Sequence, residues 1–400
     1  MPNRSGRPDH GHSRVRRRNS VFNQLPASEP SGAHRRGADR QGSRHQGLQE
    51  DRRSRGKGRT AVSHPFIRPC RTRPCGWGGQ VGERLRDPGC NVGTRWAAGM
   101  TSVALQYLPG AGRDAMRLAR SMGIAAHEIA LHRFPDEEFL VTVGPAAATT
   151  IIYSSLDRPN EKLVALLLAV EALRREGAER LVLVAPYMCY MRQDAAFEPG
   201  QAISQRAIGK LLADVFDRIV SVNAHLHRVA DIQAVFPGGD ADDLSAMPAV
   251  ADTLSSVGYD QGTIVVGPDA ESRRWVADLA ERLHLDVAVA TKVRRGDETV
   301  DIGFANDAMF AGRPVLIVDD IVSSGGTLIA CAKALARAGA SKMDAIIIHA
   351  LFDEGLVDTF ANFGIRSVRS TSSIPHPTNA IALDSVLIAA LHRELQGAER

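Results

Sequence analysis

From residue 101 onward the chain alternates short aliphatic runs with amphipathic stretches of helical length, and this rhythm leaves few folds open to it. TSVALQYL (101–108), TTIIYSS (149–155), RLVLVAPY (180–187) and RIVSVNAH (218–225) read as strands. Between them GRDAMRLARSMG (112–123), NEKLVALLLAVEALRREG (160–177) and SQRAIGKLLADVF (204–216) read as helices, the first two closed by glycine. A polar Gly/Asp stretch, FPGGDADD (236–243), interrupts the pattern, which then restarts. Helices are expected at 247–258, 271–283 and 326–339, and strands at 263–269, 286–293, 314–320 and 344–352. Strands alternating with helices build an α/β fold of mainly parallel sheets flanked by helices. We expect two halves, 100–245 and 246–400, each of ordinary domain size. Their common rhythm suggests a duplication, although residue-level similarity between them is weak.

Charge separates this region from what precedes it. Of the 49 Lys and Arg, 21 fall in residues 1–99, against 7 of the 45 Asp and Glu, giving a net +14 there and −10 in the remainder. Runs such as HGHSRVRRRNS and DRRSRGKGRT hold almost no spaced aliphatics. They bury too little apolar surface to offset chain entropy, so a disordered Arg/Gly/Ser-rich extension is expected over 1–99. Its Arg clusters suit nucleic-acid phosphates. The plainer expectation is that it is not translated and that Met100, where the composition changes, is the start. Its acids and lack of an amphipathic stripe argue against a transit peptide.

Membrane and secreted classes are excluded. LVALLLAV (163–170) stops at Glu171, short of the ~18 apolar residues of a spanning helix, and the opening residues lack the apolar core of a secretory signal. Cys70, Cys75, Cys90, Cys189 and Cys331 make no zinc spacing, and the last two sit in apolar segments, as reduced buried thiols do. A cytoplasmic enzyme without membrane attachment is expected.

The chemistry concentrates in VLIVDDIVSSGGTL (315–328). A buried strand ends in Asp319 and Asp320, and a small hydroxyl- and Gly-rich loop runs straight into a helix. Backbone N–H groups and a helix N-terminus gather around a phosphate in this way. Gly325 and Gly326 permit close approach, and Ser323, Ser324 and Thr327 add hydroxyl donors. Paired acids repel phosphate, so they need sugar hydroxyls or a cation. A phosphate beside a polyol describes a ribose phosphate. Elsewhere, Arg192 and Gln193 follow a strand end, where a parallel sheet opens to ligand; Arg192 suits a polyphosphate, and Gln193 a purine edge or ribose. His225, His227 and Asp269 also lie at strand ends, and neutral His with carboxylate can hold a metal-bound triphosphate. Lys292 and Arg294, two apart, share one side if extended.

The loop resembles the phosphoribosyl-binding loop of the type I phosphoribosyltransferase fold, and further segments resemble the ribose-phosphate diphosphokinases, also called phosphoribosyl-pyrophosphate synthetases. FPDEEFLV (134–141) is similar to that family's FxDGE stretch, and YMRQDAAFEPGQAIS (190–204) to its Arg-Gln-Asp motif. NAHLHRVADIQAVF (223–236) resembles DLHxxQIQxFF, and VVGPDAESRRWVADLA (265–280) resembles VVxPDxGGxxRAxxxA. TKVRR (291–295) falls at the family's catalytic flexible loop, and STSSIPHP (370–377) at its ending. The matches run in order over nearly all of 102–390.

The resemblance implies two tandem phosphoribosyltransferase-like domains, a nucleotide site in 100–245 and a ribose-phosphate site in 246–400. It implies transfer of diphosphate from ATP to O1 of ribose 5-phosphate, with Mg²⁺, giving phosphoribosyl pyrophosphate and AMP. Lys292 and Arg294 would be the transition-state clamp. Phe134, Asp136, Glu138, Arg192, Gln193 and His225 would hold the nucleotide, and His225 and Asp269 the metal. Asp319 and Asp320 would hold ribose hydroxyls, and Ser323, Ser324, Gly325, Gly326 and Thr327 the 5-phosphate. In the family the FxDGE stretch reaches a neighbouring subunit, so a homo-oligomer is implied. The sequence departs at Glu137 for Gly, Asn223 for Asp, Glu271-Ser272 for Gly-Gly and Ser323 for an acid. A silent regulatory homologue and a base-transferring phosphoribosyltransferase are the alternatives.

Overall fold

The structure is a computed structural model and describes residues 103–295 and 299–396, so the expected extension over 1–99 and the start at Met100 lie outside the described residues. The first half runs β1 (Val103–Tyr107), α1 (Gly112–Met122), β2 (Ala125–Glu128), then a hairpin of β3 (Ala130–Arg133) and β4 (Phe139–Thr142). It continues β5 (Thr149–Tyr153), α2 (Pro159–Arg175), β6 (Arg180–Ala185), α3 (Ser204–Ala213), β7 (Arg218–Val222) and β8 (Asp240–Leu244). After α4 (Met247–Val257) come β9 (Ile264–Gly267), α5 (Arg273–Leu283), β10 (Asp286–Val289) and a second hairpin, β11 (Thr291–Arg295) and β12 (Thr299–Gly303). The chain ends β13 (Pro314–Val322), α6 (Gly326–Arg337), β14 (Lys342–Ala350), α7 (Leu356–Asn362), β15 (Ile365–Thr371), β16 (Asn379–Ile381) and α8 (Asp384–Gln396).

The halves share one topology. Their six-stranded sheets are ordered β2-β1-β5-β6-β7-β8 and β10-β9-β13-β14-β15-β16, and neighbouring strands are parallel throughout. Each antiparallel hairpin enters at the same point of this plan, after the second strand of its sheet. The common rhythm of the sequence is thus matched by a common connectivity.

Alternation along the buried strands divides each sheet between two cores. Leu105, Ile151, Val182 and Val220 of the first sheet and Val265, Leu316 and Ile346 of the second point into one common cluster, which also takes α1, α4, α5 and α8. Ile152, Leu183 and Ile219 face α2 and α3 on the outer side, and Val266, Ile317 and Ile347 face α6 and α7. The middle helices are therefore shared, and the strands' carboxyl ends at β6, β7, β9 and β13 open on the same cleft. No helix among the described residues is long and apolar enough to cross a membrane.

Three boundaries differ from those expected. The polar stretch 236–243 is not merely a connection, because Asp240–Leu244 forms the edge strand β8, its acids met by Arg218 and Arg393. Residues 286–293 are not one strand, since the chain turns at buried Ala290, whose N–H reaches Gly267 O at 2.8 Å. β13 continues two residues past Asp320, which places both acids inside the sheet's hydrogen bonding.

Candidate active site

Asp319 and Asp320 are buried at the end of β13. The Asp320 backbone N–H reaches Asp319 Oδ1 at 3.1 Å, and the Ile321 N–H reaches Asp320 Oδ1 at 2.8 Å. Burial pushes Asp319 well above the usual carboxylate range, and the charges of Asp320 and Asp269 add to it. Burial pulls Asp320 the same way, but the hydrogen bond and charge of His225, with His349 behind, outweigh it and bring that carboxyl below its ordinary value. Two adjacent carboxyls are thus driven apart.

Beyond β13 the loop turns at Gly325, the residue before α6, at φ 75°. A side chain there would put its Cβ 2.6 Å from the Phe360 ring, so both the conformation and the space require glycine. Ser323, Ser324, Gly326 and Thr327 are exposed around the first turn of α6, whose N–H groups are free of intrahelical partners.

The first half faces this from β7. Asn223 takes φ 44°, a left-handed conformation that Asn tolerates well, with its N–H on Leu244 O at 2.8 Å and its Oδ1 accepting from Ala246 N–H at 2.7 Å. That bend delivers His225, whose Nδ1 lies 2.6 Å from Asp320 Oδ2. His227 Nδ1 lies 2.8 Å from Glu271 Oε1. Just past β9, Asp269 Oδ1 accepts from the N–H groups of Glu271 and Ser272, both at 3.1 Å, and so closes the turn that leads into α5. Ser272, at a departure from the Gly-Gly pattern, is buried against Gly267, where an added Cβ would overlap its hydroxyl.

Arg192, Asp194, His225, His227, Arg228, Asp269, Asp319, Asp320 and Thr327 line one cavity of about 360 Å³. Arg192 also borders a neighbouring cavity of about 560 Å³ with Arg158, Tyr187, Tyr190 and Gln193. Among the described residues no ion pair holds Arg192; Asp194 instead meets Arg228 at 2.5 Å. Gln193 Oε1 accepts from Ser204 Oγ at 2.6 Å.

Of the residues singled out from the sequence, Arg192, His225, Asp269, Asp319, Asp320 and Thr327 thus meet in one space, with Ser323, Ser324, Gly325 and Gly326 in the adjoining loop. Phe134, Asp136 and Glu138 do not join them. They form the tip between β3 and β4, where Phe134 N–H bonds Glu138 O and Glu137 stands at φ 72°, the conformation that explains a glycine in the family pattern. Lys292 and Arg294 are placed on β11, paired with Ile302 and Val300, but their side chains lie outside the described residues. Arg228, Tyr187 and Tyr190 carried no individual signal; only their nearness to His225 and Arg192 in sequence pointed to them.

Comparison with known proteins agrees with this geometry. Residues 113–215 match the family model described as the N-terminal domain of ribose phosphate pyrophosphokinase, and residues 248–373 match the phosphoribosyl transferase domain. A ribose-phosphate pyrophosphokinase of Thermococcus kodakarensis is 31% identical over 265 residues, covering 66% of this chain and 92% of the relative. That of Methanopyrus kandleri is 28% identical over 269 residues, covering 67% and 91%. A crystal structure of phosphoribosylpyrophosphate synthetase from Mycobacterium smegmatis superposes with a TM-score of 0.64 at 22% identity, over 74% of this chain and 99% of that one. Two parallel sheets of one topology, a Gly-rich loop after paired acids and these relatives agree on one assignment: the chain is a transferase of the ribose-phosphate pyrophosphokinase family.

Proposed function

We propose that the protein transfers the β,γ-diphosphoryl group of ATP to O1 of ribose 5-phosphate, giving phosphoribosyl pyrophosphate and AMP. One observation carries the reading: Asp319, Asp320 and Thr327 of the second half face Arg192 and His225 of the first across a single cavity, tied by the contact of His225 with Asp320. An acceptor sugar and a donor nucleotide can then meet in the space between.

The 5-phosphate is received by the hydroxyl and N–H groups of 323–327 at the start of α6. Asp320, ionised beside His225, accepts from ribose hydroxyls, and Asp319 shares that task. Arg192 sits at the junction of the two cavities, placed to pair with phosphate on one side while Tyr187, Tyr190 and Gln193 border the nucleoside on the other. Lys292 and Arg294 close over the transferring group and hold its charge as it develops. The carboxylates of Asp269, Asp319 and Asp320 provide the oxygen donors that suit Mg²⁺, and Asp269 with His225 would hold it. Bound there, Mg²⁺ supplies neutralisation of phosphate charge. Positioning and electrostatics then account for the catalysis.

The β3–β4 tip is read as reaching the nucleotide site of another copy in a homo-oligomer. Supporting this, Phe134 is exposed at the tip, and Leu140, Val164 and Leu168 are exposed on β4 and α2, two elements in contact.

The test is ³¹P NMR of the full chain with ATP, Mg²⁺ and ribose 5-phosphate and without any base. AMP and a sugar pyrophosphate are expected only when the sugar phosphate is present. Lys292→Ala is expected to lower kcat by about 10²–10³-fold while ATP still binds. Binding of both substrates without AMP release overturns the reading in favour of a silent homologue, and a strict need for a base favours a base-transferring enzyme.

A further inference from the structure

Arg369 brings a charge to the core side of the second sheet. It stands beside Ile346 in the register of β15 and β14, and Leu316 stands beside Asp344 in that of β13 and β14. Ile346 and Leu316 belong to the central core, so Asp344 and Arg369 share that face, while Val368 packs on the opposite one. Arg369 is half-buried, its Nε is wholly so, and among the described residues no hydrogen bond or ion pair holds its guanidinium. A buried charged group left without a partner is costly, and such groups are normally met.

Arg369 borders a cavity of about 200 Å³ whose walls include Leu254, Leu283, Leu285 and Leu316. The cavity lies at the amino ends of the strands, where Thr263 precedes β9 and Pro314 and Lys342 open β13 and β14. The catalytic cleft lies at the carboxyl ends, so this is a separate space. Its other charges are accounted for: Arg366 Nε donates to Asp344 Oδ1 at 3.1 Å, Asp260 Oδ1 accepts from the Gly262 N–H at 2.8 Å, and Lys342 is exposed to solvent. Among the described residues of this cavity, Arg369 is the half-buried cation left for a ligand to meet.

We propose that this cavity binds a short aliphatic carboxylate, with its carboxylate group on Arg369 and its apolar body against the leucines. A guanidinium fork matches a carboxylate through two parallel N–H···O bonds. The four leucines offer only apolar contact, which suits a hydrocarbon body. Asp260 and Asp344 border the same space and repel a doubly charged anion such as phosphate more than a singly charged one. At the ~30 Å³ that each molecule occupies in liquid water, the cavity has room for about seven non-hydrogen atoms, the size of isovalerate. The site uses none of the groups assigned to ATP or ribose 5-phosphate, so it stands or falls apart from the diphosphokinase reading.

The test titrates isovalerate into the full chain without substrates, followed by saturation-transfer NMR of the ligand methyl groups. Isovaleramide, of the same shape but uncharged, and inorganic phosphate serve as comparisons. Saturable binding of isovalerate is expected, weakened by more than about 10-fold in Arg369→Met and in the amide. Phosphate at equal concentration should not displace it. Absence of saturable binding overturns the proposal, as do equal binding by Arg369→Met, equal binding of the amide, or displacement by phosphate. A melting curve without ligand gives a second readout. Methionine keeps the apolar stem and removes the unanswered charge, so Arg369→Met should melt no lower than wild type. A variant that melts lower, or does not fold, would show that the guanidinium is already met within the protein, and that too overturns the proposal.

Discussion

His349 shows how one buried side chain joins the halves. It is 1% exposed in β14, with Nε2 3.2 Å from the carbonyl oxygen of Asn223, Nδ1 2.9 Å from Ser373 Oγ, and its ring edge-on to Tyr187. Through that carbonyl it steadies the left-handed bend that delivers His225. Burial lowers its pKa to about 4 from 6.5; Asp320 and the carbonyl of Asn223 oppose this, and His225 adds to it. The folded state therefore holds His349 neutral where the unfolded chain takes up a proton. Its contribution is intact above the unfolded value and is lost as pH falls from about 6.5 to about 4. The loss amounts to about 3 kcal/mol at one pKa unit per 1.36 kcal/mol. Denaturant unfolding of wild type and His349→Gln across pH 4 to 7.5 should show wild type losing about 3 kcal/mol relative to the variant toward acid. A pH-independent difference between the two would mean that His349 is not buried neutral.

At the level of elements, the strand–loop–helix of β13 and α6 makes the clearest demand. Gly325→Ala forces a left-handed alanine whose Cβ overlaps Phe360, whereas Gly326→Ala meets nothing nearer than Ser324 Oγ at 3.8 Å. The first is expected to destabilise by about 2 kcal/mol or more and to raise KM for ribose 5-phosphate. The second should leave stability within about 0.5 kcal/mol. Thermal melts and KM values for both check this, and equal behaviour would show that the loop has room to rearrange. This element could be read from the sequence because its signals are local: an aliphatic run, two acids and a Gly pair. Elements whose stability comes from distant partners were not so readable. β8 is an acidic strand because Arg218 and Arg393 lie beside it, and β2 pairs with β1 although its residues are half exposed. The two hairpins have short strands, and those of β3 and β4 are largely exposed, so no burial pattern marks them in the sequence. The site followed the same division. Each strand end of the cleft was visible locally, while the contacts His225–Asp320, His227–Glu271 and Asp194–Arg228 join residues that only the fold brings together.

For the whole molecule, the question is whether the two halves stand as separate bodies. The cleft depends on the answer, since Asp269, Asp319, Asp320 and Thr327 come from one half and Arg192 and His225 from the other. The central core takes residues from both sheets, and α8, last in sequence, packs on α1 and on β8 of the first half. Its Glu394 is 4% exposed and receives Arg180 Nε at 2.7 Å and Arg218 Nη1 at 2.9 Å; Arg218, itself 2% exposed, also meets Asp242 at 2.5 Å. Burial would raise the Glu394 carboxyl, but Arg180 and Arg218 hold it below the ordinary value. Its contribution is thus present above the unfolded value and lost as pH falls through the lower folded one. Glu394→Ala leaves Arg218 charged and only half answered within the protein. Breaking a buried pair on one side costs about 3–5 kcal/mol, far above the ±0.5 kcal/mol of a surface change. Denaturant unfolding followed by circular dichroism and by tryptophan fluorescence should give coincident transitions in wild type, and a midpoint shift of that size in Glu394→Ala. A shift within the surface range would mean that the Glu394 ion-pair cluster does little to hold α8 on the first half. The joint between the halves would then rest on the shared apolar core and on the contacts of His225 and His349.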